Sequence, residues 1–296
     1  MHEGAESSGR CVKPPGYLRG NVTLSLGSKR KLNDGREIPV LGLGVWQAGT
    51  GPRVVRAIGT ALEVGYRLID TAKLYGNEAE VGDAVRRGPV PREEVFVTTK
   101  LWNDDHGRAK AKRAFDASLR RLGLDYVDLY LIHWPGAGER IETWKALVEI
   151  VREGRCRSIG VSNFTIPHLE ELAGASDVVP AVNQVELHPF LYQRDLIDYC
   201  RRRGIQVQAY SPLARANYLE EPTLTALAQA HHRSPAQVML RWSIQHGLSA
   251  IPKSTNAERI RENASIFDFE LSDAEMARLD ALSSGARVAW DPSTVP

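Results

Sequence analysis

Short apolar runs alternate with amphipathic stretches along most of this chain. The runs fall at LGLG (41–44), RLID (67–70), VFVTT (95–99), VDLYLIH (127–133), SIGV (158–161), AVNQV (181–185), QVQAY (206–210) and SAI (249–251). Between them, apolar positions recur at helical spacing in GPRVVRAIGTALEVG, EAEVGDAVRRG, RAKAKRAFDASLRRLG, RIETWKALVEIVREG, PHLEELAG, RDLIDYCRRRG and SPAQVMLRWSIQHG. In the third of these, Ala114, Leu119 and Leu122 line one face and Gly123 ends the helix. The eight strand candidates start 23 to 43 residues apart, enough for the crossover that parallel pairing requires. Eight such units in about 250 residues match a (β/α)8 TIM barrel. A doubly wound sheet is the alternative. Its Gly-rich phosphate turn would have to be Gly42-Leu43-Gly44, which lacks a third glycine, and the chain has no Walker-type lysine motif.

Several shorter features complete the outline. Asn33-Asp34-Gly35 sits between two short extended segments and predicts a β-hairpin, because Asp-Gly tolerates positive φ. SPLARANYLEEP, in the widest gap between strand candidates, is too polar and Pro-bounded for core and would be a lid on the C-terminal face of a barrel. Ser272 with Glu275 is a capping box opening a last helix, SDAEMARLDALSSG, before a loose tail that carries Trp290. Residues 1–20 read as a disordered leader and residues 21–296 as a single domain.

Composition narrows the function classes. The chain has 296 residues, of which 43% are hydrophobic and 25% charged, an ordinary globular balance. A formal charge of +2 argues against nucleic acid or an anionic membrane as partner, so any positive site must be local. Cys11, Cys156 and Cys200 form neither a disulfide framework nor a zinc-binding pattern. No apolar run is long enough to span a bilayer, and the N-terminal stretch has no secretory apolar core. A cytoplasmic monomer acting on a small molecule is the expectation.

Barrel active sites lie at the C-terminal ends of the strands. Polar residues at those ends include Asp70 with Tyr75 just beyond it, Lys100, His133, Ser162-Asn163, Gln184, Tyr210-Ser211 and Lys253-Ser254-Thr255. Singly, each has a bland reading as a cap, a solvated charge or a satisfied core group. Together, Asp70, Tyr75, Lys100 and His133 supply what carbonyl reduction by hydride transfer needs, because the alkoxide must be protonated as it forms. A phenol is a slow acid at neutral pH unless a cation lowers its pKa, and a carboxylate keeps that cation charged and aimed. Histidine can orient the carbonyl oxygen. No metal is needed. Lys73 is the nearer lysine in sequence, but it is expected to hang in water from a mobile loop, whereas Lys100 leaves a rigid strand.

IPKSTNAERIRENA places Lys253 and Arg259 at a helix start, where they suit the 2′-phosphate of NADP. Tyr210 would stack on a nicotinamide, or be an ordinary strand aromatic. Asn163 and Gln184 would bind the carboxamide. Trp46, Trp102 and Trp134 follow strands one, three and four and would wall the pocket mouth.

These residues resemble the aldo-keto reductase family. The resemblance runs in order through LNDGREIPVLGLGVWQ, RLIDTAKLYGNE, VFVTTKLWNDD, LGLDYVDLYLIHWP, SIGVSNF, NQVELHP, AYSPLA and IPKSTNAERIRENASIFDFELS. Within the family the chain is most similar to the prokaryotic 2,5-diketo-gluconate reductase-like group. The resemblance implies a (β/α)8 barrel with an N-terminal hairpin across its bottom and a short C-terminal tail. It implies NADPH-dependent reduction of aldehydes or small ketones, keto-sugar acids among them, with cofactor binding first and Tyr75 as general acid in an Asp70-Tyr75-Lys100-His133 tetrad. By the same resemblance Ser162, Asn163 and Gln184 hold the carboxamide, Tyr210 stacks on the nicotinamide, and Ser211 and Leu213 follow the pyrophosphate. Lys253, Ser254, Thr255, Arg259, Glu262 and Asn263 would bind the adenosine phosphate end. Lys73, where many members carry a small or apolar residue, and the leader depart from the family pattern. A regulatory cofactor-binding barrel and a metal-dependent barrel hydrolase are the rival functions.

Overall fold

Asn33-Asp34-Gly35 does turn the chain. The computed structural model, which describes residues 24–136 and 138–295, pairs β1 (Lys29–Lys31) antiparallel to β2 (Glu37–Pro39), with Arg30 opposite Ile38. Gly35 takes φ 85°, a left-handed conformation open to glycine without strain. The turn is also anchored from below. Asp34 accepts a hydrogen bond from the Ser158 hydroxyl at 2.6 Å, and Asn33 donates to the Pro180 carbonyl at 3.0 Å. Leu32 and Ile38 pack with Leu68, Leu129, Leu131, Ala181, Val182 and Ile251 into an interior cluster that plugs the N-terminal end of the sheet. The leader expected over residues 1–20 lies outside the described residues.

Eight parallel strands follow, interleaved with helices. They are β3 (Leu43–Gly44), β4 (Leu68–Asp70), β5 (Phe96–Leu101), β6 (Val127–Ile132), β7 (Cys156–Ser162), β8 (Val182–Glu186), β9 (Gln206–Tyr210) and β10 (Ser249–Ala250), neighbours in sequence being neighbours in the sheet. The two ends meet. Gly42 N–H donates to the Ala250 carbonyl at 2.9 Å and Gly44 N–H to the Pro252 carbonyl at 3.1 Å, closing the barrel. A side chain on Gly42 would put its Cβ 1.8 Å from Leu68 Cδ2, so only glycine lets the strands approach here.

The helices α1 (Pro52–Val64), α2 (Glu78–Arg86), α3 (Arg108–Leu122), α4 (Arg140–Arg152), α5 (Ile166–Ala175), α6 (Arg194–Arg202), α7 (Pro222–Ala230), α8 (Pro235–Gln245), α9 (Ala257–Ala264) and α10 (Asp273–Asp280) surround the strands. The main apolar core lies between the two layers. On α3 the buried face is Ala111, Ala114, Phe115, Ser118 and Leu122, with Leu119 at its edge. Of the face expected from sequence, Ala114 and Leu122 are buried and Leu119 packs at the edge, as the 3.6-residue period allows. α7 falls in the gap the sequence leaves between lid and α8. Its Pro222 reads as the end of the lid but is the first residue of a helix, where its missing N–H is no loss, and Glu221 caps Leu224 N–H at 2.7 Å. The Ser272–Glu275 capping box forms as expected. Among the described residues, no helix is long and apolar enough to cross a membrane.

The tail is not loose. Val288 and Ala289 donate their N–H groups to the buried Glu186 carboxylate at 2.6 and 2.9 Å, and His168 Nε2 lies 3.1 Å from the Val295 carbonyl. Contacts this distant in sequence leave no local pattern to read.

Candidate active site

Side chains alternate across a strand, and that alternation aims the site. Leu68 belongs to the interior cluster, so Asp70 two residues on faces the same interior at the C-terminal rim. On β5, Phe96 packs against that cluster and Lys100, four residues later, shares its face. The register sets Asp70 opposite Thr98 and Lys100 opposite Leu131. Tyr75 ends a short 3₁₀ turn, Lys73–Tyr75, which Gly76 stops with φ 69°. His133 directly follows β6.

The Lys100 ammonium is fully buried and uses all three of its donors. It donates to Asp70 Oδ1 at 2.6 Å, to the Thr71 carbonyl at 2.9 Å and to the Tyr75 hydroxyl oxygen at 3.2 Å. Since an ammonium can only donate, the Tyr75 oxygen is an acceptor here and its own proton is left for another partner. Burial pulls both members of the Lys100–Asp70 pair toward neutrality, and each charge opposes that pull on the other.

The Tyr75 phenol moves the opposite way from the sequence expectation. Burial, then the charges of Asp70 and Tyr210, hold its pKa well above the ordinary value. The lysine beside it does not overcome desolvation. A raised pKa keeps the phenol protonated at neutral pH. His133 is pushed well below its ordinary pKa, first by burial and then by the Lys100 charge, so its imidazole is neutral. It meets the Tyr75 ring edge-on at 5.6 Å and the Trp102 ring at 5.2 Å, and its buried Nδ1 has no hydrogen-bond partner among the described residues.

A second set of polar groups ties this tetrad to the neighbouring strands. Gln184 Nε2 donates one hydrogen to Asp70 Oδ2 and the other to Gln208 Oε1, both at 2.7 Å. Both neighbours are acceptors, which fixes the amide with Oε1 as its unengaged atom. Asn163, in the left-handed region at φ 63°, donates to the His133 carbonyl at 3.0 Å and accepts from the Tyr210 hydroxyl at 2.8 Å. The Ser162 hydroxyl donates to the Gln184 carbonyl at 2.8 Å.

These groups open on one cavity of about 910 Å³. It runs from Asp70, Tyr75 and His133 past Ser162, Asn163, Gln184 and Tyr210, then along Ser211 and Leu213 to Lys253, Ser254, Arg259, Glu262 and Asn263. Trp46 and Trp134 form part of its wall, but Trp102 does not; its ring packs edge-on against His133 at 5.2 Å. Thr255 also stands outside the lining, its hydroxyl accepting from Arg53 Nη2 at 2.7 Å. Lys73 is not a free side chain in water. It is ion-paired to Asp105 in the loop after β5.

Four further residues shape the mouth, and to two of them, Leu74 and Arg215, sequence reasoning gave no role. Leu74, Arg215 and Arg287 line the cavity, and Trp290 stands 5.7 Å from Trp134. Arg215 lies over the Trp46 ring at 4.6 Å, and with Ala214 and Ala216 it forms a run of three non-glycine residues at φ 47–67°. Such conformations cost about 1–3 kcal/mol each, and no local pattern announces them. Glu186, within the NQVELHP stretch, also went unassigned; its carboxylate is buried and so requires N–H partners, which the structure supplies from the tail.

Residues 40–284 match the model of the aldo/keto reductase family. The chain is 48% identical over 268 residues to the glyoxal reductase of Bacillus subtilis, covering 90% of this chain and 97% of that protein. It is 51% identical over 279 residues to the morphine 6-dehydrogenase of Pseudomonas putida, covering 89% and 94%. Among solved structures it is similar to a Bombyx mori aldo-keto reductase in complex with NADP, with a TM-score of 0.85, 39% identity and coverage of 91% and 97%.

Proposed function

The chain belongs to the aldo/keto reductase family, and from that membership and the geometry above we propose that it reduces aldehydes and small ketones with NADPH, using Tyr75 as the general acid. The observation that carries the reading is the Lys100 ammonium held between Asp70 and the Tyr75 hydroxyl at the base of a cavity. The chain is an NAD(P)H-dependent oxidoreductase, and its residues fit that cofactor. Gln184 keeps an unengaged amide oxygen, and Tyr210 presents a ring at the cavity wall. Lys253 and Arg259 face the far end of the cavity with no carboxylate partner among the described residues.

NADPH, when bound, supplies a hydride. The protein's own residues do the rest. Tyr75 gives its proton to the substrate oxygen as negative charge develops there. Lys100 already donates to the Tyr75 oxygen and stabilises the phenolate left behind, while Asp70 keeps that ammonium charged. The neutral His133 orients the carbonyl by hydrogen bonding without competing as an acid.

The mouth is walled by Trp46, Trp134, Trp290 and Leu74, which suits carbonyls bearing an apolar or aromatic group. Arg287 at the same rim favours a second class, keto-sugar acids and other oxo acids. The glyoxal and morphine named for the two relatives differ widely in size, so a substrate panel is the deciding measurement. NADPH consumption should follow wild type and be lost in Tyr75→Phe. Tight NADPH binding without turnover on any carbonyl would favour a sensor instead.

A further inference from the structure

Beside the basic end of the cavity, just outside its lining, stands a further cation that neither the family resemblance nor the sequence pattern picks out. Arg53 is the second residue of α1, the helix after β3, and Lys253 bridges to Gly44 of that same strand. Its guanidinium crosses to the β10–α9 loop, where Nη2 donates to Thr255 Oγ1 at 2.7 Å. The contact uses one of five donors, so most of the fork is open. Burial, then the nearby Arg53 charge, lowers the Lys253 pKa. No carboxylate pairs with Arg53, Lys253 or Arg259 among the described residues, although most other buried or clustered cations here have one, such as Lys100, Arg92, Lys112 and Arg155. Like charges gathered without a counter-ion repel one another, and an anion between them removes that cost.

We propose that Arg53 is a specificity-determining residue that grips the 2′-phosphate of NADPH from α1, together with Lys253 and Arg259, with Thr255 holding its guanidinium in place. The inference rests on the reading of Lys253–Asn263 as the adenosine phosphate end. A planar guanidinium matches phosphate oxygens two at a time, which a lysine cannot do. NADH offers a bare ribose there and gives Arg53 nothing to hold.

The test is the dissociation constant of each cofactor, read by quenching of tryptophan fluorescence in the full-length protein. Arg53→Ala should weaken NADPH by about tenfold, the range of one charge-assisted contact, and leave NADH unchanged. Arg53→Lys, which keeps the charge and loses the fork, should fall between. Added salt should weaken NADPH binding less in Arg53→Ala than in wild type. Equal weakening of both cofactors, or of neither, in a protein that prefers NADPH would overturn the role of Arg53 alone. A wild type with no preference for NADPH would overturn the phosphate reading of the whole Lys253–Asn263 segment, and this inference with it.

Discussion

Gln184 donates an amide hydrogen to Asp70 Oδ2 at 2.7 Å, while Lys100 occupies the other carboxylate oxygen at 2.6 Å. The residue expected to hold the cofactor's carboxamide therefore also holds the tetrad's carboxylate. Gln208 Oε1 takes the second amide hydrogen, and Gln208 Nε2 passes the chain to Ser249 Oγ at 3.2 Å. The two halves of the site are one hydrogen-bonded unit.

Gln184→Met should separate the two duties. The Gln184 hydrogen bond lowers the Asp70 pKa, so its loss raises it. Asp70 would then take up a proton at higher pH, and the acid limb of the kcat profile should move upward. We expect kcat to fall by about tenfold, as one charge-assisted hydrogen bond allows, and NADPH to bind more weakly. A weaker NADPH Kd with an unmoved acid limb would show that the Asp70 contact carries no catalytic weight.

Two lysines lie near Tyr75, and the structure gives them different work. Lys100 touches the phenol oxygen, whereas Lys73 pairs with Asp105 at the surface. Lys100→Met should lower kcat by about 100-fold or more and leave a folded protein that still binds NADPH. Lys73→Ala should keep both kcat and the pH profile, with a stability change of about 1 kcal/mol or less, as for other half-buried surface pairs. Rates and a thermal melt on both variants would decide.

Much of this was legible before the structure. The eight strands sit within about two residues of the apolar runs, the usual uncertainty of element boundaries, because parallel strands buried on both faces read as continuous apolar segments. Asp70, Lys100 and His133 were legible because strand ends in a barrel converge on one face. Trp102 lies outside the cavity lining, because a strand-end position fixes where the backbone is and leaves open which way the ring turns. The pKa direction of Tyr75 was missed because burial, which sequence does not measure, outweighs the adjacent lysine.

The pH dependence should lack a histidine limb. His133 is held well below its ordinary pKa by burial and by Lys100, so its neutral form persists as pH falls through about 6.5, the usual value. Tyr75 is held above the ordinary phenol range and keeps its proton throughout. kcat/KM for reduction should therefore be level from about pH 6 to 8, and His133→Gln should lower it without changing that shape. A limb near the ordinary histidine value in wild type, absent in His133→Gln, would mean that His133 titrates during turnover.

Glu186 is the point where the tail joins the site. Its carboxylate accepts from the Val288 and Ala289 N–H groups and lies 3.1 Å from His188 Nε2. Burial alone would raise its pKa, but His188 and the two N–H groups outweigh that and hold it below the usual range. A lowered carboxylate pKa stabilises the fold above the unfolded value, and that contribution is lost as pH falls through the folded one. In Glu186→Gln the new amide sets an N–H against a backbone N–H, leaving a buried donor unsatisfied at about 1–3 kcal/mol. The variant should melt earlier at neutral pH and close the gap to wild type as the medium is acidified. The tail carries Arg287 and Trp290 to the cavity mouth, so its release should raise KM for bulky apolar carbonyls and leave kcat for the smallest aldehydes nearly unchanged. Equal loss on large and small substrates would mean that Glu186 supports the barrel as a whole rather than the tail.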